Sequence, residues 1–191
     1  MDADQIDVVL KVVAVFEKSN IAYLIGGSFA SSVHGFPRST HDADLLAFIS
    51  REQADLIAAE LQSEFYADEL AIMRAVRSKR HFNVIHIGSG FKVDVFVAKE
   101  TEFEKAQFER RELKNIGNDS PQEVYVATAE DTILAKLDWY RRGNEVSDQQ
   151  WRDIKGVIKV QGDRLDMEYL NRWARELGVS DLLERALVES G

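Results

Sequence analysis

Residues 24–44 read Leu24-Ile25-Gly26-Gly27-Ser28-Phe29-Ala30-Ser31-Ser32-Val33-His34-Gly35-Phe36-Pro37-Arg38-Ser39-Thr40-His41-Asp42-Ala43-Asp44. Ile21 to Ile25 is an apolar run short enough for a buried strand. Gly26-Gly27 lets the backbone turn tightly, and Ser28 is placed to cap a short helix through His34, which Gly35 and Pro37 stop. Asp42 to Ile49 then forms a second strand. On a strand, residues two apart share a face, so Asp42 and Asp44 stand side by side. Two neighbouring carboxylates repel unless a cation neutralises them. The spacing alone is not specific, because Asp2-Ala3-Asp4 repeats it at the N-terminus. What sets Asp42-Ala43-Asp44 apart is its place at the mouth of the apolar run Leu45-Leu46-Ala47-Phe48-Ile49, where unpaired charge is costly. Ahead of it, the N–H groups after Gly26-Gly27 and the Ser28 hydroxyl form a phosphate cradle. A bulkier residue at Gly27 is expected to obstruct that cradle while sparing the fold.

Upstream, Ile6, Val9, Leu10, Val13 and Phe16 recur at helical spacing, so residues 5–19 form an amphipathic helix. Downstream, Ser50 with Gln53 makes a capping box for a helix carrying Ala54, Ile57, Leu61 and Phe65. A further helix spans 68–76. Phe82–Ile87 and Phe91–Val97 read as two strands joined by Gly88-Ser89-Gly90. In the second, Lys92, Asp94 and Phe96 share a face opposite Val93, Val95 and Val97. Residues 100–113 have helical propensity, 115–121 read as a linker, and 123–127 add a small strand. Thr128, Ser147, Asp166 and Ser180 are N-cap positions for four closing helices. The pattern is an α/β core followed by a helical tail. In that tail Lys136 shares a face with Ile133 and Tyr140, where a cation is out of place unless it snorkels or meets an anion.

The chain has 191 residues, 45% hydrophobic and 30% charged, suiting one domain or one domain with a helical appendage. It holds 33 acidic and 24 basic residues, a formal charge of −9. That balance disfavours non-specific binding to nucleic-acid duplexes, which draws on basic surface. With no cysteine, disulfides and thiolate metal sites are excluded. No apolar run approaches the ~18 residues of a membrane span. The acidic start lacks a signal-peptide pattern. A soluble, cytoplasmic protein is therefore expected. His34, His41, His81 and His86 lack metal-ligand spacing, and no activated nucleophile accompanies them.

Taken together, Leu24-Ile25-Gly26-Gly27-Ser28, Gly35, Arg38, Thr40, Asp42 and Asp44, with Asp94 on a later strand, resemble the signature of the DNA polymerase β-like nucleotidyltransferase superfamily. Ala129-Glu130-Asp131-Thr132-Ile133-Leu134-Ala135-Lys136-Leu137 and Gln150-Trp151-Arg152-Asp153-Ile154 are similar to tail motifs of its small bacterial members, some of them toxins of abortive-infection toxin–antitoxin systems. The resemblance implies an α/β (α+β) nucleotidyltransferase core with a short mixed sheet flanked by helices, over residues 1–120. Residues 121–191 would then be a helical region completing the nucleotide cleft. It implies transfer of a nucleoside monophosphate from a nucleoside triphosphate to an acceptor hydroxyl on RNA, protein or a small molecule. A tRNA acceptor and an antitoxin protein partner are further implications, and a non-catalytic binding or interaction module on the same fold is the alternative. Asp42, Asp44 and Asp94 would be catalytic and hold Mg²⁺, or Mn²⁺ as its substitute. Gly26, Gly27, Ser28, Arg38, Thr40 and Lys136 would bind the nucleotide. Asp153 would support Lys136 or balance surface charge, and Trp151 is read as core.

Overall fold

The computed structural model describes residues 3–116 and 122–191. Its centre is a seven-stranded mixed sheet in the order β3-β4-β5-β2-β1-β7-β6. The strands are β1 (Ala22–Ile25), β2 (Asp42–Phe48), β3 (Phe65–Tyr66), β4 (His81–His86), β5 (Lys92–Val97), β6 (Glu112–Ile116) and β7 (Gln122–Val126). β2 runs antiparallel to β1 and parallel to β5, and the hairpin read around Gly88-Ser89-Gly90 joins antiparallel β4 and β5.

Alternation on the central strands decides the two faces of the sheet. Ala43, Leu45, Ala47, Val93, Val95 and Val97 are buried in one cluster with Val8, Val12 and Phe16 of α1 (Ala3–Lys18). Ile57 of α3 (Arg51–Leu61) and Ile72 of α4 (Glu69–Ser78) join them. The opposite face carries Asp42, Asp44, Leu46, Lys92, Asp94 and Phe96, all only half-buried. One face is thus a core, and the other is available to a site.

A second apolar cluster spans Ala129 to Ala186. It is built from α6 (Ala129–Arg142), α7 (Asp148–Gln161), α8 (Met167–Glu176) and α9 (Ser180–Ser190). Thr128, Ser147 and Asp166 cap the first three through their side chains, as their sequence positions predict. Such a cap contributes about 1 kcal/mol. α2 (Gly27–His34) packs against both α6 and α7. A Cβ on Gly35, at its end, would come within 2.9 Å of the Val157 backbone nitrogen, so only glycine allows α2 to reach α7 this closely. Phe103 of α5 (Glu102–Arg110) packs its ring 5.1 Å from Trp173, tying the clusters together.

Four local readings need correction. Gly26, not Ser28, is the N-cap of α2, and it makes no side-chain cap bond. Val179 precedes α9 where Ser180 is the expected cap, so that helix starts without a side-chain acceptor. Phe65 belongs to β3 rather than to the helix before it. β6 takes Glu112 and Leu113 from the expected helical stretch and Asn115 and Ile116 from the expected linker, whose remaining residues, 117–121, lie outside the described residues. No helix among the described residues is long and apolar enough to cross a membrane.

Candidate active site

The half-buried face of β2 and β5 brings the three aspartates together. The strands are parallel, with Asp44 paired in register with Asp94 and Asp42 with Lys92. All three carboxylates therefore project from one face on adjacent strands. The Lys92 ammonium lies between them, 2.6 Å from Asp94 Oδ2 and 3.8 Å from Asp42 Oδ2. Its hydrogen bond to Asp94 is the main reason its own pKa is raised. Thr40 is buried and donates its hydroxyl to the Asp42 carbonyl at 3.0 Å and to Asp42 Oδ1 at 3.2 Å. It thus fixes the entry of β2 and the Asp42 side chain.

Asp44 bears the electrostatic cost of this arrangement. Burial, then Asp42, then Asp94 push its pKa up to about 6, against the opposing pull of Lys136 and Lys92. The face carries three carboxylates and one lysine, Lys92, so its negative charge is not neutralised. Among the described residues, no three Asp, Glu or His side chains form a ready-made metal-binding group. The hard oxygen donors and the uncompensated charge on Asp44 nevertheless fit a divalent cation such as Mg²⁺.

The glycine turn abuts these carboxylates. Gly26 N–H donates to the Asp44 carbonyl at 2.8 Å, tying the end of β1 to β2. Gly27 has φ of +53°, and a Cβ there would sit 1.8 Å from Asp44 Oδ2. The glycine thus admits the Asp44 carboxylate itself as well as leaving backbone N–H groups bare. A larger residue at Gly27 would disturb the aspartate, which corrects the expectation that only a cradle would be lost.

Ser28, Arg38, Lys136 and Asp153 form one linked group. The Arg38 guanidinium grips Asp153 with two bonds, Nε to Oδ1 and Nη2 to Oδ2, both 2.9 Å. Its Nη2 also donates to Ser28 Oγ at 2.5 Å. Lys136 is buried, and its Nζ lies 2.9 Å from Asp153 Oδ2. Burial raises the Asp153 pKa, but Arg38 and Lys136 outweigh it and hold the carboxyl below its ordinary range. Lys136 is thus held by an anion and also bears electrostatically on Asp44, which answers why a cation sits on the apolar side of α6. Trp151 is buried in the core of the tail, stacked on Tyr140 at 5.1 Å.

Sequence reasoning passed over one set of residues at this site. Phe96, two residues after Asp94 on the same face, meets the rings of Trp139 at 5.7 Å and His81 at 5.5 Å. The available signal was Trp139 itself, one helical turn beyond Lys136.

No protein-family model matches the chain, and no curated protein matches it significantly. Solved structures do share its architecture. The solution structure of the antibiotic-resistance factor ANT(2'')-Ia superposes with a TM-score of 0.61 at 15% identity, covering 99% of this chain and 97% of that one. An antigenic nucleotidyltransferase-like protein from Paracoccidioides brasiliensis gives 0.56 at 20% identity, over 98% and 94%. The lincomycin-bound lincosamide antibiotic adenylyltransferase LnuA gives 0.50 at 9% identity, over 84% and 98%. With a mixed sheet, the glycine turn after β1 and a helical C-terminal part, this chain has the nucleotidyltransferase fold.

Proposed function

We propose that the protein is a metal-dependent nucleotidyltransferase that moves a nucleoside monophosphate from a nucleoside triphosphate to an acceptor hydroxyl. The observation that carries this reading is the in-register pairing of Asp44 with Asp94, with Asp42 on the same face beside the glycine turn. On this reading residues 1–120 supply the catalytic core, and 121–191 close the nucleotide cleft through Lys136.

Asp42, Asp44 and Asp94 would hold Mg²⁺, which neutralises charge on the transferring phosphoryl group and lowers the pKa of the acceptor hydroxyl. The N–H groups of Gly27 and Ser28, at the start of α2, would receive phosphate oxygens, the Gly26 N–H being held by the Asp44 carbonyl. Arg38 and Lys136 supply positive charge behind that loop, oriented by Asp153. Asp94 stands on the far strand from the loop and serves the acceptor. The acceptor oxygen bonds to the α-phosphorus as the bond to the β-phosphate oxygen breaks. Pyrophosphate leaves with that electron pair, and the hydroxyl proton passes to solvent. The structural neighbours whose names record adenylyl transfer to antibiotics support a small-molecule acceptor. A triphosphate donor accords with a cytoplasmic setting.

The test is incubation with each labelled triphosphate and Mg²⁺ against small alcohols, cell protein and total RNA, followed by product identification. A labelled product that disappears with Asp42→Asn is expected. Labelling of tRNA would assign the toxin-like role and direct a search for an antitoxin. Metal-dependent nucleotide binding without any product would assign the non-catalytic module.

A further inference from the structure

Asn83 of β4 is the register partner of Asp94, and two residues further along the strands the same face turns aromatic. His81 is the register partner of Phe96 across β4 and β5, and their rings lie 5.5 Å apart at 35°. Phe96 also meets Trp139, 5.7 Å away and edge-on at 66°. Contacts through Phe96 thus link three side chains from two strands and one helix into a row that starts two residues from Asp94. Trp139 is 52% exposed, whereas Trp151 and Trp173 are 7% and 6% exposed. Leaving half an indole in water forgoes burial that the other tryptophans obtain.

The row also has a definite side. The strand order β4-β5-β2-β1 puts the glycine turn, at the end of β1, on one flank of the carboxylates and Phe96 and His81 on the other, with Trp139 reaching Phe96 from α6. Phosphoryl transfer needs attacking and leaving oxygens roughly in line across the phosphorus. With phosphates at Gly26-Gly27, the bulk of the acceptor must lie toward β5 and β4, where the row stands.

We propose that Trp139, Phe96 and His81 are the wall on which the acceptor lays a ring, and that the acceptor is a ring-bearing alcohol without phosphate groups. This rests on the nucleotidyltransferase reading and specifies its acceptor. A ring gains from stacking on exposed aromatic side chains, and an attached cation gains further from the indole face. The row itself holds no lysine or arginine, so a phosphate on the acceptor would gain no cationic partner there, whereas a neutral or cationic ring gains the aromatic faces.

The exposure of Trp139 makes its emission the reporter. The full chain is saturated with Mg²⁺ and an α,β-methylene triphosphate, whose own affinity is measured first by calorimetry. It is then titrated with glucosamine, methyl glucoside and uridine as ring alcohols, glucosamine 6-phosphate as the phosphorylated arm, and sorbitol as the acyclic arm. At least one ring alcohol should shift the emission, with tenfold or weaker responses to sorbitol and to the phosphorylated sugar. Glucosamine against uridine separates a sugar-type from a nucleoside-type ring. By calorimetry, Trp139→Ala and His81→Ala should each weaken ring binding about tenfold while triphosphate affinity is kept, and Trp139→Phe should retain most of it. Equal binding of sorbitol, tighter binding of the phosphorylated sugar, no response to any ring alcohol, or undiminished binding by Trp139→Ala would each overturn the proposal. Failure of the wild type to bind the triphosphate analogue would instead overturn the nucleotidyltransferase reading.

Discussion

Gly27 and Asp44 occupy adjoining space: a Cβ on the glycine would fall 1.8 Å from the aspartate's Oδ2, at a backbone φ of +53°. The turn that presents N–H groups and the carboxylate that faces them are therefore one unit. Gly27→Ala should cost about 1–2 kcal/mol in denaturant unfolding, through left-handed strain and displacement of Asp44. It should also weaken Mg²⁺-triphosphate binding in calorimetry. Gly26 has φ of −119° and nothing within 4 Å of its would-be Cβ, so Gly26→Ala should leave stability nearly unchanged. Equal stability losses at the two positions would show that the Gly27–Asp44 contact is unimportant.

Asp44 gives a pH dependence whose sign follows from its environment. Its carboxyl titrates at about 6 when folded and near the ordinary 3.8 when unfolded. The unfolded chain releases this proton first. Stability from the group is thus complete below pH 3.8, declines as pH rises, and is lost above pH 6. Asp44→Asn removes the repulsion, so the variant should be more stable than wild type above pH 6 by about 1–3 kcal/mol. Below pH 4 the two should coincide. Asp131, fully buried and also pushed up to about 6, shifts in the same direction in both proteins. The difference between their melting curves therefore isolates Asp44. Millimolar Mg²⁺ should raise the wild-type melting temperature at pH 7.5 and leave Asp44→Asn nearly unmoved.

Asp153 is the shared anion of Arg38 and Lys136, and its side chain is only 7% exposed. Removing one partner of a buried pair leaves an uncompensated charge, typically at about 3–5 kcal/mol. Asp153→Ala should approach the lower end of that range in chemical denaturation, because Arg38 is partly exposed and can rehydrate. Lys136→Met should cost less, since Arg38 still satisfies Asp153. In a double-mutant cycle, the Asp153→Ala, Lys136→Met protein should be more stable than Asp153→Ala alone. Additive losses would mean that Lys136 and Asp153 are not energetically coupled.

Where one physical signal dominated, the sequence was easy to read. Alternation on β2 and β5 gave both faces, since Ala43, Leu45, Val93 and Val95 are buried while Asp44 and Asp94 are not. The capping box at Ser50 and Gln53 starts α3 through local hydrogen bonds alone. β6 was illegible because Glu112, Leu113 and Asn115 are exposed at the sheet edge, so no alternation marks the strand. That Asp44 and Asp94 would be neighbours could not be read from either strand by itself. The parallel pairing of β2 with β5 depends on everything between them in the chain. Trp139 escaped notice for a similar reason, as its partner Phe96 lies on a distant strand. Lys136 and Asp153 could be weighed as partners, but only the packing of α6 on α7 brings them to 2.9 Å.

The last prediction separates catalysis from binding, and it turns on the two ends of the aspartate row. Asp42 and Asp44 lie on the strand that the glycine turn abuts, whereas Asp94 lies one strand further away. Asp94→Asn should therefore keep most of the triphosphate affinity and lose transfer, while Asp42→Asn should weaken both. Loss of a contact that stabilises developing charge costs several kcal/mol of transition-state stabilisation, so transfer should fall by about a hundredfold or more. Lys92 complicates a simple reading. In the wild type its ammonium is nearest Asp94 Oδ2, at 2.6 Å, with Asp42 Oδ2 at 3.8 Å. Neutralising Asp94 frees it to settle on Asp42 and compete with a metal there. The comparison thus needs Lys92→Met alone and combined with Asp94→Asn. If the loss of transfer comes from a relocated lysine, the double variant should recover activity. If Asp94 itself acts, the double variant should stay as inactive as Asp94→Asn while binding Mg²⁺-triphosphate at least as tightly as wild type. Undiminished transfer by Asp94→Asn would falsify its catalytic assignment.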